Sequence, residues 1–233
     1  ALPSFQLPNS AGSAYRFPTG RHALLCFVKE DCPTCRLSMP LIEAAHAAFG
    51  AAIDVLVVGQ DTEGNATLVD DFGVTAPMLD DSALHVSYAF SIDTVPTVIL
   101  AGEDGSEVLR FAGFGRADWQ SLFARLESLT GRPVPAIAWG EYPESRPGCG
   151  SKSVEPGIAE RLAAEASGSP LRARRIEVGE QDDPFEFMFD QGLTDGLPVI
   201  PPTPERVLRM LDGTRRDPQE VVAVVPPNLA PCT

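Results

Sequence analysis

Residues 23–36 read ALLCFVKEDCPTCR. The first six of these residues are uninterrupted and apolar, which is typical of a buried strand. Cys32 then opens a helical pattern whose apolar positions are Leu37, Leu41, Ile42, Ala45, Ala48 and Phe49. The unpaired N–H groups and the dipole of a helix start favour negative charge. We therefore expect Cys32 to be a thiolate nucleophile, and Cys35, one turn on, to be the thiol that resolves a mixed disulfide.

Two cysteines two residues apart are also half of a zinc site, which needs a second pair of ligands at short spacing. The other candidates for such a pair do not have that spacing, namely Cys149, Cys232, His22, His46 and His85. Because the Cys32 pair follows a strand and opens a helix, redox chemistry is favoured over metal binding. No metal site is predicted.

Residues 1–131 resemble the thioredoxin superfamily, in particular its TlpA-like and peroxiredoxin-like branch. The resemblance is carried by the C-x-x-C after a strand, by Pro40 five residues past Cys35, and by Val95-Pro96-Thr97. It implies an α/β thioredoxin-like fold with a central mixed sheet flanked by helices. It also implies a cis peptide bond before Pro96, the usual place for such a bond. The backbone of Val95 would then pair with an extended substrate.

By the same resemblance, Pro33 and Thr34, between the two cysteines, join Val95 and Pro96 in positioning the substrate. Two departures from the family pattern bear on the chemistry. Cys26 stands where the family usually has a buried acid that moves protons to and from the resolving thiol, and Asp31 replaces an aromatic residue. Proton transfer must therefore use another group or be slow.

The composition changes after residue 131. Of the 22 prolines in the chain, 15 fall in residues 132–233. A stretch this rich in proline cannot be mostly helix or central strand. We therefore predict a thioredoxin-like domain over residues 1–131, a proline-rich linker over 132–150, and an irregular C-terminal extension or small second domain over 151–233.

The C-terminal part resembles a poorly characterised family in which some members carry a U-G-S-C-like motif. The resemblance rests on residues 196–203 and 228–233, and the local counterpart of the motif is Cys149-Gly150-Ser151-Lys152. It implies that the chain should run on past Thr233. Cys149, with Lys152 three residues away, is a candidate second thiol site, and Cys232 is a further candidate. A structural role for Cys149 in a turn is an equally good interpretation.

The formal net charge of −14 argues against nucleic acids and anionic membranes as partners. No apolar run approaches the roughly 20 residues that cross a bilayer. The residues at the start do not resemble a signal peptide, although a leader already cleaved is compatible with the sequence. Five cysteines with only one close pair are not a secreted disulfide scaffold, so we expect a cytoplasmic location.

Three hypotheses for function follow. In the first, the chain is a thiol-disulfide oxidoreductase that needs no cofactor beyond its cysteines and acts on a protein or small-molecule thiol or disulfide. In the second, the thioredoxin-like domain recycles a separate thiol enzyme site around Cys149 and Cys232 that transforms a small sulfur, selenium or metal-bearing substrate. In the third, the chain is a subunit of an obligate assembly, with further polypeptide packing on residues 185–233.

Overall fold

The computed structural model describes residues 1–9, 12–166, 168, 176, 178–179, 182–197, 199–217, 220–225 and 230–232. These residues form two compact units, Ala1–Leu162 and Ala163–Thr233.

The strands of the described residues are β1 Phe5–Pro8, β2 Ala14–Phe17, β3 Ala23–Val28, β4 Asp54–Gly59, β5 Met78–Asp80, β6 Thr94–Val95, β7 Thr97–Ala101, β8 Glu107–Ala112, β9 Phe114–Gly115, β10 Ser145–Arg146, β11 Cys149–Gly150, β12 Ala223–Val225 and β13 Ala230–Cys232. The helices are α1 Pro33–Phe49, α2 Thr62–Phe72, α3 His85–Ala89, α4 Arg116–Thr130, α5 Ile158–Ala166, α6 Pro184–Asp190 and α7 Pro204–Leu211. Short 3-10 turns lie at Trp139–Glu141 and Lys152–Val154.

Five strands form the central sheet of the first unit, in the order β5-β4-β3-β7-β8. β3 pairs parallel with β4 and antiparallel with β7, and all six of its residues are buried. Parallel neighbours need a crossover connection, and α1 provides it between β3 and β4. The predicted α/β fold with a central mixed sheet flanked by helices is confirmed.

Helix α1 connects the core to the site. Its apolar face, which includes Leu41, Ile42, Ala45 and Phe49, is buried. The burial fixes the direction of the helix, and its first turn, beginning at Pro33, follows the end of β3 after the short connection of residues 29–32. The described residues of the first unit also form three short two-stranded pairs, and two of them, β9 with β10 and β6 with β11, lie beside this first turn.

The first unit runs to Leu162, past the boundary predicted at residues 131 and 132. Trp139 contacts Phe123 of α4 with ring centroids 6.1 Å apart, and Tyr142 stacks on Phe114 at 5.7 Å. Buried aromatic surface of this kind stabilises packing despite the many prolines. Residues 132–150 are therefore part of the first unit, where a linker was expected.

The second unit contains α6, α7 and the β12–β13 hairpin. Phe185 and Phe189 of α6 are 53% and 55% exposed. Packing of further polypeptide on residues 185–233 stays a prediction. Part of the C-terminal resemblance rests on Pro198, Asn228, Leu229 and Thr233, which lie outside the described residues. None of the helices described is both long and apolar enough to pass through a bilayer.

Candidate active site

Cys32 is the N-cap residue of α1. Its extended backbone, with φ −94° and ψ 111°, lets the sulfur turn back over the first turn, where it accepts a hydrogen bond from the Cys35 N–H at 3.4 Å. Pro33 occupies the first helical position, where a missing N–H costs no hydrogen bond. Cys32 and Cys35 are both 0% exposed. The pair therefore has the helix-start geometry expected of it, but both thiols are buried.

The two thiols have opposite acidities. The pKa of Cys32 is lowered to about 5, first because the Cys35 thiol donates to its sulfur. The Cys149 thiol and the N–H groups of Cys35 and Thr34 add further donors, and burial opposes them. Burial, together with the hydrogen bond to Cys32, raises the pKa of Cys35 far above its ordinary value. At neutral pH the site thus holds one thiolate and one protonated neighbour.

The Val95–Pro96 peptide bond is cis and lies beside this thiolate. In its thiol form Cys32 donates to the carbonyl oxygen of Val95 at 3.4 Å. The backbone of Val95 pairs antiparallel with an extended segment, as the resemblance implied for a substrate. The segment, however, belongs to the same chain: Cys149 lies opposite Val95, and Gly150 lies opposite Thr94.

We call residues 144–153 the strap. At its start, the Arg116 N–H donates to the Glu144 carbonyl at 2.8 Å, and β10 pairs with β9. In its middle, the Thr34 hydroxyl donates to the Pro147 carbonyl at 2.7 Å. At its end, the Ser151 N–H donates to the Asp93 carbonyl at 2.9 Å. The strap therefore runs across the first turn of α1 and covers the dithiol.

The three further thiol-site candidates are distributed differently. Cys149 joins Cys32 and Cys35 in one site, so it does not form the separate site that the second hypothesis required. The Lys152 ammonium lies 2.8 Å from Asp61 Oδ2, so its charge is paired with that carboxylate rather than held for Cys149. Cys232 is exposed in β13 of the second unit.

The charges around Cys32 are largely paired. Lys29 Nζ lies 3.4 Å from Asp31 Oδ1, and Arg36 bridges Glu30 at 3.3 Å and Asp71 at 2.5 Å. The carboxylates of Glu30, Asp31 and Asp71 are thus compensated by Lys29 and Arg36. Hydrogen bonds, rather than these exposed charges, account for the acidity of Cys32.

Cys26, in the position of the family's buried acid, is fully buried in β3, and burial raises its pKa far above the ordinary value. It therefore stays protonated and cannot accept the proton of Cys35. In the described part of the chain, no group of three or more His, Cys, Asp or Glu side chains is arranged to hold a metal ion.

Sequence reasoning missed the groups that hold the strap. Gln60, at the end of β4, donates to Ser151 Oγ at 2.7 Å and to Ser87 Oγ at 2.9 Å, and it accepts from the Lys152 N–H at 3.1 Å. Gln60 is 1% exposed. In the sequence, a glutamine directly after the apolar strand that ends in Gly59 gives little indication of this role. Its partners Ser87 and Ser151 lie 27 and 91 residues away in the chain.

No family model matches the chain. In sequence it is similar to the thiol-disulfide oxidoreductase ResA of Halalkalibacterium halodurans, with 30% identity over 93 residues that make up 38% of this chain and 52% of ResA. The chain thus spans about half the length of this curated relative.

Solved structures extend the similarity. A crystal structure assigned as thiol:disulfide interchange protein DsbE of Chlorobium tepidum superposes with a TM-score of 0.52 and 24% identity, covering 55% of this chain and 94% of that one. A solution structure assigned as a thioredoxin of Neisseria meningitidis has a TM-score of 0.50 and 25% identity, with 55% and 88% covered. Taken with the mixed sheet and the helix that starts at Cys32, these similarities show that the chain contains a thioredoxin-superfamily segment.

Proposed function

We propose that the chain is a thiol-disulfide oxidoreductase whose redox-active groups are Cys32 and Cys35. The observation that carries the proposal is the place of Cys32 as the N-cap residue of α1, where its sulfur accepts from the Cys35 N–H at 3.4 Å. Donors converging on this sulfur lower the pKa of Cys32 to about 5. The thiolate is the attacking species in disulfide exchange. A protonated thiol one helical turn away provides the second attack.

The reaction has two steps. The Cys32 thiolate attacks one sulfur of a disulfide, so a Cys32 mixed disulfide forms and the other sulfur leaves as a thiolate that takes up a proton. Cys35 then loses its proton and attacks Cys32 Sγ, which releases the second thiol and leaves a Cys32–Cys35 disulfide. Two electrons pass from the dithiol to the substrate, and the reverse sequence oxidises a dithiol substrate.

Thr34, Val95 and Pro96 position the partner in this scheme. The Val95 backbone and the Thr34 hydroxyl already hold an extended segment across the dithiol, and this segment is the strap. A disulfide-bearing peptide would use the same groups. The chemistry uses the chain's own cysteines and requires no separate cofactor. The cytoplasmic location expected from the sequence stays a prediction.

The test is a single turnover of the full reduced chain, freed of reductant, with excess oxidised glutathione. Wild type should release two glutathione thiols per chain and gain a Cys32–Cys35 disulfide, seen by peptide mass spectrometry. Cys32→Ser should not form that disulfide, and its release of the second of the two glutathione thiols should fall at least about tenfold in rate. Cys232→Ser is the matched control and should behave as wild type. Equal rates for wild type and Cys32→Ser would overturn the proposal.

A further inference from the structure

Exposure differs sharply among the three cysteines of the site. Cys32 and Cys35 are 0% exposed, whereas Cys149 is partly exposed. Cys149 is therefore the one of these three cysteines that is open to a disulfide in solvent. Such a disulfide can reach Cys32 directly only if the strap moves away.

Cys149 is placed as a reacting group would be. It lies opposite Val95, the residue before the cis proline, and the Val95 carbonyl oxygen lies 3.4 Å from Cys32 Sγ. The Cys149 thiol is also one of the donors that lower the pKa of Cys32. The Cys32 sulfur thus has a thiol on each side, Cys35 within α1 and Cys149 on the strap. A disulfide can form from Cys32 to either neighbour by exchange through one shared sulfur.

Two glycines allow the strap to come this close. A Cβ on Gly148 would lie 2.6 Å from the Val95 carbonyl oxygen and 2.4 Å from Thr94 Cγ2. Gly113 has φ +74°, and a Cβ there would lie 3.0 Å from both the Arg146 oxygen and the Gly148 nitrogen. Because any larger residue would move the strap outward, both positions require glycine for Cys149 to contact Cys32.

The strap is also held firmly beyond Cys149. Ser151 and Ser153 are 1% and 2% exposed, their hydroxyls lie 2.8 Å apart, and Ser153 donates to the Ile92 carbonyl at 2.9 Å. Gln60 completes this buried network. A fully satisfied buried polar network specifies one arrangement of the backbone. Cys149, two residues before Ser151, is therefore held in place rather than left on a free loop.

We infer that Cys149 is a third redox cysteine, an intrachain substrate of Cys32 through which low-molecular-weight disulfides oxidise the buried dithiol. The inference rests on the proposed function of Cys32 and Cys35. It assigns to the strap a chemical role besides covering the site, and it selects small disulfides over folded proteins as substrates, because the strap occupies the groove that a protein segment would need.

The relay has three steps. The Cys149 thiol loses its proton and attacks a disulfide R–S–S–R, forming a Cys149–S–R bond while RS⁻ leaves and is protonated. The Cys32 thiolate attacks Cys149 Sγ, forming a Cys32–Cys149 disulfide and releasing the second RS⁻, which is also protonated. Cys35 loses its proton and attacks Cys32 Sγ, and Cys149 leaves and takes up a proton. Overall, R–S–S–R is reduced to two R–SH and the dithiol is oxidised to a disulfide.

Trapping the middle state is the first experiment. Cys35→Ser lacks the resolving thiol, so the full reduced chain treated with oxidised glutathione should accumulate a Cys32–Cys149 disulfide. After acid quenching and tryptic digestion, that disulfide links the peptides 30–36 and 126–152. Cys35→Ser/Cys149→Ser should show no such link, and Cys35→Ser/Cys232→Ser should keep it. Glutathione adducts on Cys149 without the link would overturn the inference.

The second experiment separates the inference from the proposed function. In single turnover with oxidised glutathione, Cys149→Ser should form the Cys32–Cys35 disulfide at least about tenfold more slowly than wild type, because the serine keeps the strap in place but cannot form the mixed disulfide. Cys149→Ala should be equally slow. If both variants match wild type while Cys32→Ser is inactive, the inference fails and the proposed function stands. If Cys32→Ser also matches wild type, the proposed function itself fails.

Discussion

The site is built from two regions of very different origin, the start of α1 and the strap. The helix start is local: the Cys32 sulfur and the N–H that it binds are three residues apart. The strap is remote: its contacts with Thr34, Val95 and Gln60 join residues 113, 54 and 91 positions apart. Both regions provide donors to the same atom, Cys32 Sγ.

This difference separates reactivity from access. The helix start lowers the pKa of Cys32 by contacts within its own turn, so it makes a thiolate whether or not the strap is present. The strap adds one donor to that thiolate and removes it from solvent. A change in the strap should therefore alter which molecules reach Cys32 far more than it alters the chemistry of Cys32. Three predictions test this separation, beginning with the largest expected effect.

Gly148→Ala should expose Cys32. The new Cβ meets the backbone of Val95 at 2.6 Å, and because a backbone atom cannot easily yield, the strap must move. In a Cys35→Ser background, we expect iodoacetamide to alkylate Cys32 at least about tenfold faster than without the glycine substitution.

The matched control is Gly150→Ala, since a Cβ at Gly150 meets no atom within 4 Å. Its alkylation rate should stay at the reference value. If Cys32 is also alkylated at the reference rate in Gly148→Ala, the strap does not limit the access of reagents to Cys32. The proposed difference between the helix start and the strap would then be wrong.

Gln60→Ala should loosen the strap by removing its buried anchor. In the native protein the Lys152 N–H donates to the Gln60 side chain and the Ser151 hydroxyl accepts from it, and the substitution removes both hydrogen bonds. Leaving buried polar groups unsatisfied costs about 1–3 kcal/mol. We expect the free energy of unfolding in urea to fall by that amount. Gln120→Ala, at an exposed position of α4, should change it by less than about 0.5 kcal/mol. An unchanged stability in Gln60→Ala would show that this network does not hold the strap.

Removing the Cys149 thiol, the strap's donor to Cys32, should have the smallest effect of the three, a modest rise in the pKa of Cys32. The thiolate absorbance of reduced wild type at 240 nm, corrected with Cys32→Ser, should titrate with a midpoint near pH 5. Cys149→Ala deletes one donor to the thiolate, so the midpoint should move upward while staying below the ordinary pKa of a thiol, because Cys35 and the helix N–H groups remain. Cys149→Ser retains a hydroxyl donor and should move it less. A midpoint that returns to the ordinary value in Cys149→Ala would mean that the strap, and not the helix start, makes Cys32 acidic.

The acidity of Cys32 also sets the sign of a stability effect in the reduced protein. Its pKa is lower in the folded chain than in the unfolded one, so the stabilisation from the thiolate is fully present above the unfolded pKa, near 9, and is lost as the pH falls through about 5. Cys35 has a raised pKa and acts in the opposite direction, at alkaline pH. Between about pH 5 and pH 9, the free energy of unfolding of the reduced wild type, relative to that of Cys32→Ser, should therefore rise with pH.

Much of the fold was predictable from short stretches. The apolar run Ala23 to Val28 indicated a buried strand, and that strand is present at the centre of the sheet. The place of Cys32 at a helix start followed from the helical spacing after it. The extent of the first unit was not predictable in the same way, because composition suggested a linker where Trp139 and Tyr142 pack on the core.

The sequence alone determined that two thiols would lie at the start of a helix. The apolar run before Cys32 and the helical spacing of apolar residues after it are patterns of neighbouring residues, so they can be identified without the fold. Only the tertiary structure decided that Cys149 lies against Cys32. That contact depends on Gly148, which lets the strap approach Val95, and on the buried hydrogen bonds of Gln60, and these residues lie far apart in the chain. A pattern of neighbouring residues carries no information about such a meeting, since the free energy that holds the strap comes from contacts that exist only once the chain has folded.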